Sequence, residues 1–262
     1  MKLGVVGTGS VGCAIALAAV TRGSAREIIL VNRTRKTAEA VATDIRYGTP
    51  LGQKVDISDG DYDALSGAGV ILITSGVNEK TGGATDRSDP QGRLKLLDKN
   101  AAIYRDIVPK IVRAAPDAVL VAVTDPPDPL ADIARAVAGH ERVLSAGTFL
   151  DTLRFRVHLG KHFGVDPAQV EAQVIGDHGT SQVFLWSSAR IAGVPVTALL
   201  DERAAIPIGS YQRAFGVTLS LPSIVGRTGA MSVLQPELSA EERSGLERSA
   251  ESLRSALERV AK

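Results

Sequence analysis

The stretch "VIGDHGT", residues 174–180, sets His178 between an aspartate and a glycine where an apolar run stops. An imidazole titrates near neutral pH, so a histidine there can exchange a proton with a substrate oxygen, or it can be a turn residue satisfied by a backbone carbonyl. Upstream, "FLDTLRF" places Asp151 and Arg154 three residues apart in a helical pattern. That spacing puts both on one helix face, where by themselves they read as a modest ion pair.

A second chemistry-bearing motif opens the chain. A short apolar strand over residues 2–6 runs directly into "GTGSVG", and a helix pattern rich in Ala, Ile and Leu follows over 11–20. In that context Gly7 permits the tight turn, Gly9 lets backbone approach a pyrophosphate, and Gly12 allows close helix–strand packing. Thr8, Ser10 and Val11 complete the loop, whose helix N-terminus offers unpaired N–H groups to an anion. The second strand, residues 27–31, is followed by "NRTRK" and not by the acid that would accept the ribose hydroxyls of NAD. Asn32 is neutral, Thr34 is polar, and Arg33, Arg35 and Lys36 supply cations suited to an added phosphate, so NADP(H) is expected in preference to NAD.

Further short strands over 55–57, 70–74, 119–123 and 143–144, separated by helical stretches such as 94–113, predict an α/β fold. Its first part is a doubly wound parallel (Rossmann) sheet, residues 1–147, and residues 148–262 form a smaller α+β substrate lobe. Ligands in such sheets lie beyond the carboxyl ends of the strands, so Thr74, Ser75 and Gly76, with Val123 and Asp125, should border the nicotinamide half of the cofactor. Residues 75–93, rich in Gly, Asp and Thr, read as a lid.

Composition narrows the classes. The 262 residues are 44% apolar and carry a net charge of +1, too little for a general grip on nucleic acid or an anionic membrane. No run reaches the roughly 20 apolar residues of a membrane span. The opening segment imitates a signal peptide, but glycines interrupt its apolar middle and its strand is needed beside residues 27–31. Cys13 is the single cysteine, expected on a buried helix face; no metal site is expected, and a reducing, cytoplasmic setting fits.

"IGDHG" and the Asp151–Arg154 helix, together with "QGRLKLLDKN", "RIAGVPV" and "LPSIVGRTG", resemble the L-lactate and malate dehydrogenase family over nearly the whole chain. The resemblance implies a 2-hydroxy acid dehydrogenase in which His178 exchanges the proton, Asp151 orients and charges it, Arg154 clamps a carboxylate, and Arg93 on the lid polarises the carbonyl. It also implies a small carboxylate substrate and a homodimer.

Three departures qualify that likeness. "VTDPPDP" carries Asp125 where the family usually has an asparagine, and an ionised aspartate cannot donate to a carbonyl oxygen and would repel a developing alkoxide. A cationic iminium substrate would suit it, so imine reduction beside a carboxylate is a rival reading, with a non-catalytic NADP-binding protein as another. The lid is longer than the usual family loop, leaving Glu79 and Arg87 as unaligned specificity candidates. Residues 194–222 pass almost directly from "GVP" to the late strands, omitting helices that line the pocket and build the dimer contact, so a wider pocket is expected and family-style dimerisation loses its basis. At the end, "SAEE" from Ser239 predicts a capping box, and Leu246, Leu253, Leu257 and Val260 a packed stripe.

Overall fold

The computed structural model describes residues 1–52, 54–82, 93–179, 181–191, 193–196, 206–226, 229–233 and 235–260. Six strands, β1 (Lys2–Val6), β2 (Glu27–Val31), β3 (Asp56–Asp59), β4 (Val70–Ile73), β5 (Val119–Ala122) and β6 (Val143–Ser145), are all parallel. They lie in the order β6-β5-β4-β1-β2-β3. The chain reverses direction across the sheet between β1 and β4, which opens a crevice beyond their carboxyl ends.

The connections are helices because their apolar residues recur every three to four positions, and the central strands β1, β2, β4 and β5 are mostly apolar because both faces are covered, whereas the edge strand β3 (Asp-Ile-Ser-Asp) buries only Ile57. Helices α1 (Ser10–Arg22) and α2 (Arg35–Gly48) bury Ala16, Ala19, Ala38 and Ala42 against Val5, Ile28, Leu30 and Ile57. On the opposite face, after the one-turn α3 (Glu79–Gly82), helices α4 (Leu97–Ala114) and α5 (Pro127–Ala138) bury Tyr104, Val108, Ile111 and Leu130 against Ile71, Ile73 and Leu120.

Helix α6 (Phe149–Phe163) leads into the second half. Short strands β7 (Val170–Glu171), β8 (Val174–Ile175), β9 (Val183–Phe184), β10 (Arg190–Ile191) and β11 (Val194–Pro195) form two small antiparallel sheets. Strands β12 (Ile206–Gln212), β13 (Val217–Gly226) and β14 (Gly229–Val233) then extend the main sheet antiparallel, through the pairing of Gly209 with Ser145. One nine-stranded sheet therefore crosses the boundary expected near residue 147.

The last helix, α7 (Ala240–Val260), begins with the expected capping box: Ser239 N–H donates to Glu242 Oε2 at 2.8 Å, and Glu242 N–H to Ser239 Oγ at 3.2 Å. Leu246 and Leu253 pack on Leu219 and Leu221, each contributing on the order of 2 kcal/mol of burial. Leu257 and Val260 reach the core beneath α4 and α5. Among the described residues no helix is long and apolar enough to cross a membrane.

Candidate active site

Three elements converge where the sheet meets the second half. The loop after β5 carries Asp125 and leads into α5, α6 begins after β6, and the segment after β8 carries His178. Gly176 adopts φ +91° and exchanges backbone hydrogen bonds with Ser220 of β13, which turns the chain so that the next residues leave the strand.

His178 Nδ1 lies 2.5 Å from Asp151 Oδ2, and Asp151 Oδ1 accepts from an Arg154 guanidinium nitrogen at 3.0 Å. The ion pair expected from the helix spacing is thus present, and the same carboxylate also holds the imidazole. Burial by itself would raise the Asp151 pKa, but the His178 hydrogen bond and charge, with Arg154 beside them, hold it below the usual carboxylate range. On the opposite ring edge, His178 Nε2 is 3.7 Å from Asp125 Oδ1. The ring stands between two carboxylates, and Asp125 faces the nitrogen that is not bound to Asp151.

A buried scaffold fixes this arrangement, and the sequence reading missed it. The His178 backbone N–H donates to Asp128 Oδ2 at 2.7 Å, the Ser145 hydroxyl donates to Asp128 Oδ1 at 2.6 Å, and Gly147 N–H donates to Ser145 Oγ at 2.8 Å. Burial pushes the Asp128 carboxyl up to about 7 against these hydrogen bonds. Thr148 N–H donates to Ser220 Oγ at 3.0 Å, and Val174 N–H donates to Thr152 Oγ1 at 2.9 Å, so the start of α6 is tied to both β13 and β8. A Cβ on Gly147, at φ +49°, would fall 1.9 Å from Ser220 Oγ, which makes glycine necessary there. Asp177 is anchored in turn: its N–H donates to Ser249 Oγ of α7 at 2.8 Å, and its Oδ1 accepts from Ser181. The primary structure offered only an Asp in the first turn of α5; that it is buried, and so must find donors, is visible only in the fold.

The glycine-rich turn has the shape a dinucleotide needs. A Cβ on Gly12 would stand 1.9 Å from Gly7 O, whereas one on Gly9 would meet nothing within 4 Å, so the first position is filled by close packing and the second faces open space. No side chain caps α1; Thr8 Oγ1 is buried with no hydrogen-bond partner among the described residues, and Ser10 and Val11 are exposed. These features fit a pyrophosphate at the α1 N-terminus.

The loops after β4 and β5 are braced against each other and against the glycine-rich turn. The Thr74 hydroxyl donates to Gly7 O at 2.7 Å, bracing the turn from β4. Ser75 accepts from Thr124 Oγ1 at 2.9 Å through its backbone oxygen, and a Cβ on Gly76 would strike Thr124 and Asn100. Val123 N–H donates to Ile73 O, continuing the sheet. Asn100 on α4, fully buried and absent from the sequence reading, donates to the carbonyls of Val77 and Asp125 and so joins the β4 and β5 loops.

The cationic cluster is also smaller than expected. Arg35 binds Asp59 at 2.9 Å and Asp61 at 3.1 Å, because the end of β3 lies alongside the start of α2. These acids compete with any phosphate for Arg35, whose side chain stays more than half exposed. Arg33 and Lys36 remain exposed, Asn32 donates to Thr34 O at 3.3 Å, and Thr34 precedes α2 without a side-chain cap. Cys13 is half-buried and donates to Thr8 O, not fully buried as expected. Arg93 opens a 3-10 turn before α4; its side chain, that of Glu79, and residues 83–92 with Arg87 lie outside the described residues. Among the described residues no cluster could hold a metal ion.

Family models place this geometry. The model for the lactate/malate dehydrogenase NAD binding domain matches residues 1–144, and that for the lactate/malate dehydrogenase alpha/beta C-terminal domain matches 148–215. L-Lactate dehydrogenase of Deinococcus radiodurans is 37% identical over 304 aligned positions covering 97% of each chain, and that of Thermus aquaticus is 37% identical over 312, covering 98% of each. These alignments are longer than the 262-residue chain, so they cross gaps in it, in keeping with the shortened second lobe. A lactate dehydrogenase from a Medee basin deep-sea metagenome library is 27% identical, with a TM-score of 0.87 over 100% of this chain and 99% of its own. Cryptosporidium parvum malate dehydrogenase, 20% identical, shares the fold with a TM-score of 0.89 over 99% of this chain and 98% of its own. The chain belongs to the lactate/malate dehydrogenase family, nicotinamide-dependent oxidoreductases that act on CH–OH groups.

Proposed function

We propose that this protein interconverts a 2-oxo and a 2-hydroxy carboxylic acid, with His178 exchanging the proton and NADP(H) as cofactor. The contact between His178 Nδ1 and Asp151, with Arg154 on the same carboxylate, carries the reading. When bound, the nicotinamide supplies or accepts the hydride. Gly7, Gly9, Gly12 and Thr8 would hold its pyrophosphate, and Asn32 with Arg33 its adenosine ribose.

The protein's own share follows from charge. Reduction leaves negative charge on the former carbonyl oxygen, and His178 discharges it by giving up the Nε2 proton. Asp151 holds Nδ1 protonated and stabilises the imidazolium beforehand. Arg154, half exposed beside that carboxylate, can grip a substrate carboxylate with its remaining N–H groups. Arg93 is assigned to polarising the carbonyl by its place in the motif. Residues 1–147 would then serve the cofactor and 148–262 the substrate, in a reducing, cytoplasmic setting. A homodimer would cover the exposed stripe of Phe149, Leu150, Leu153 and Val157 on α6.

The 3.7 Å approach of Asp125 to Nε2 favours a second reading, reduction of a protonated carbon–nitrogen double bond beside a carboxylate. A cation between Asp125 and Arg154-bound carboxylate would be stabilised where an alkoxide would be repelled. His178→Asn tests both: reduction of every acid should stop while cofactor affinity stays near that of the wild type. Turnover equal to the wild type would remove His178 from the mechanism.

A further inference from the structure

Beyond the dyad, a cleft of about 580 Å³ runs along α6, and Asp151 and Arg154 form its near end. Its walls are almost wholly apolar: Phe155 and Leu159 from α6, Phe184 from β9, and Trp186. Phe155 meets Phe184 with ring centroids 5.0 Å apart and Trp186 at 4.8 Å, both at 78°, so the wall presents alternating ring faces and edges. Trp186 keeps 46% of its surface exposed and Phe163, at the far end, 49%. Open aromatic surface of this kind stores binding energy for an apolar guest, and the volume lies within the usual range for a small-molecule site.

We propose that this cleft is the subsite for the substrate's side chain, and that the preferred substrates are 2-oxo and 2-hydroxy acids bearing an aryl group. The proposal rests on the proposed placement of the substrate carboxylate at Arg154. With the carboxylate there and the reacting oxygen at His178, a side chain longer than a methyl group has the cleft as its neighbouring apolar volume. Rings are favoured over alkyl chains because Phe155, Phe184 and Trp186 offer edge-to-face partners. His158 and His162 lie on the same wall and give the cleft a polar border. The reaction is unchanged in kind: C2 of the 2-oxo acid gains a hydride from the reduced nicotinamide, its oxygen gains the proton of His178, and the 2-hydroxy acid leaves with oxidised cofactor and neutral imidazole.

Trp186 is the sole tryptophan of the chain, so its fluorescence reports the cleft directly. Titration of the full chain with 3-phenyllactate, in the presence of oxidised cofactor, should change Trp186 emission at a concentration about tenfold below that of lactate or malate. In turnover, the ratio of kcat/KM for phenylpyruvate over pyruvate should be about tenfold or more, and Phe184→Ala should lower that ratio. Pyruvate reduction accompanied by no preference for phenylpyruvate and no response of Trp186 to 3-phenyllactate would overturn the subsite while leaving the proposed reaction standing. A strong Trp186 response with no turnover of either acid would overturn the reaction and keep the subsite. An equal response to malate and 3-phenyllactate would also overturn the aryl preference. The fluorescence titration uses the unaltered chain, so the outcome does not depend on the folding of the variant.

Discussion

Asp128 holds His178 by its backbone, not by its ring: the His178 N–H donates to Asp128 Oδ2 at 2.7 Å, while the same carboxylate receives the Ser145 hydroxyl that supports Gly147. One side chain from α5 therefore sets the relative position of the loop bearing the imidazole and the helix bearing Asp151. Asp128→Ala leaves a buried N–H and a buried hydroxyl without acceptors, at a cost of about 1–3 kcal/mol for each. It should lower kcat about 10- to 100-fold with little change in cofactor affinity, as a shift of the imidazole by a fraction of an ångström would. Stopped-flow reduction beside cofactor titration checks this, and an unchanged kcat would remove the positioning role.

The same carboxyl makes a prediction about pH. Its folded pKa, about 7, lies above the ordinary 3.8, so the folded state binds the proton more tightly than the unfolded chain. The stabilising share of that proton is complete below the unfolded value and is lost as pH rises through the folded one. Relative to Asp128→Asn, which has no such proton to lose, the wild type should fall in Tm between about pH 4 and pH 7 and then level off. Parallel melting scans at four or five pH values measure it; a constant difference would show that the carboxyl is not raised.

Asp151→Asn keeps a hydrogen-bond acceptor for Nδ1 but removes the charge that stabilises the imidazolium. The kcat for reduction should fall about 10²- to 10⁴-fold, by analogy of role with carboxylates that orient a catalytic histidine. Cofactor binding, proposed at the turn between β1 and α1, should be unaffected. Single-turnover kinetics separates the two, and a loss of cofactor affinity equal to the loss of rate would point to misfolding of α6 instead.

Asp125→Asn replaces the anion facing Nε2 with a group that can donate. Reduction of 2-oxo acids should rise about tenfold or more, and reduction of a cyclic imino carboxylate should fall, because the alkoxide is relieved of repulsion and the iminium loses its counter-charge. The ratio of the two activities is the readout. A ratio that does not move would mean that Asp125 takes no part in choosing between oxygen and nitrogen.

Cofactor choice is tested at the end of β2. Asn32→Asp with Arg33→Ala supplies a ribose acceptor and withdraws an exposed cation, and should shift the ratio of catalytic efficiencies from NADPH toward NADH by about tenfold or more. Arg35 is held by Asp59 and Asp61, so Arg35→Ala should shift that ratio far less than Arg33→Ala. Equal effects of the two arginines would show that Asp59 and Asp61 do not occupy Arg35.

Much of this molecule was determined locally. The strands, the glycine turn, the capping box at Ser239 and the three-residue spacing of Asp151 and Arg154 each depend on neighbours a few positions away, and they appear in the structure close to where the residue pattern puts them, with β3 displaced to Asp56–Asp59 from the expected 55–57. Tertiary structure decided which way the polar groups face. Arg35 turns to Asp59 and Asp61, and Thr74 braces Gly7. Asp128, which carries no motif of its own, becomes the support of His178. Sequence spacing specifies backbone periodicity because hydrogen bonding along the chain is local. The direction of a long or buried polar side chain is set by whichever distant partner spares it desolvation, and that partner exists only once the sheet has brought β3, β6 and α5 together.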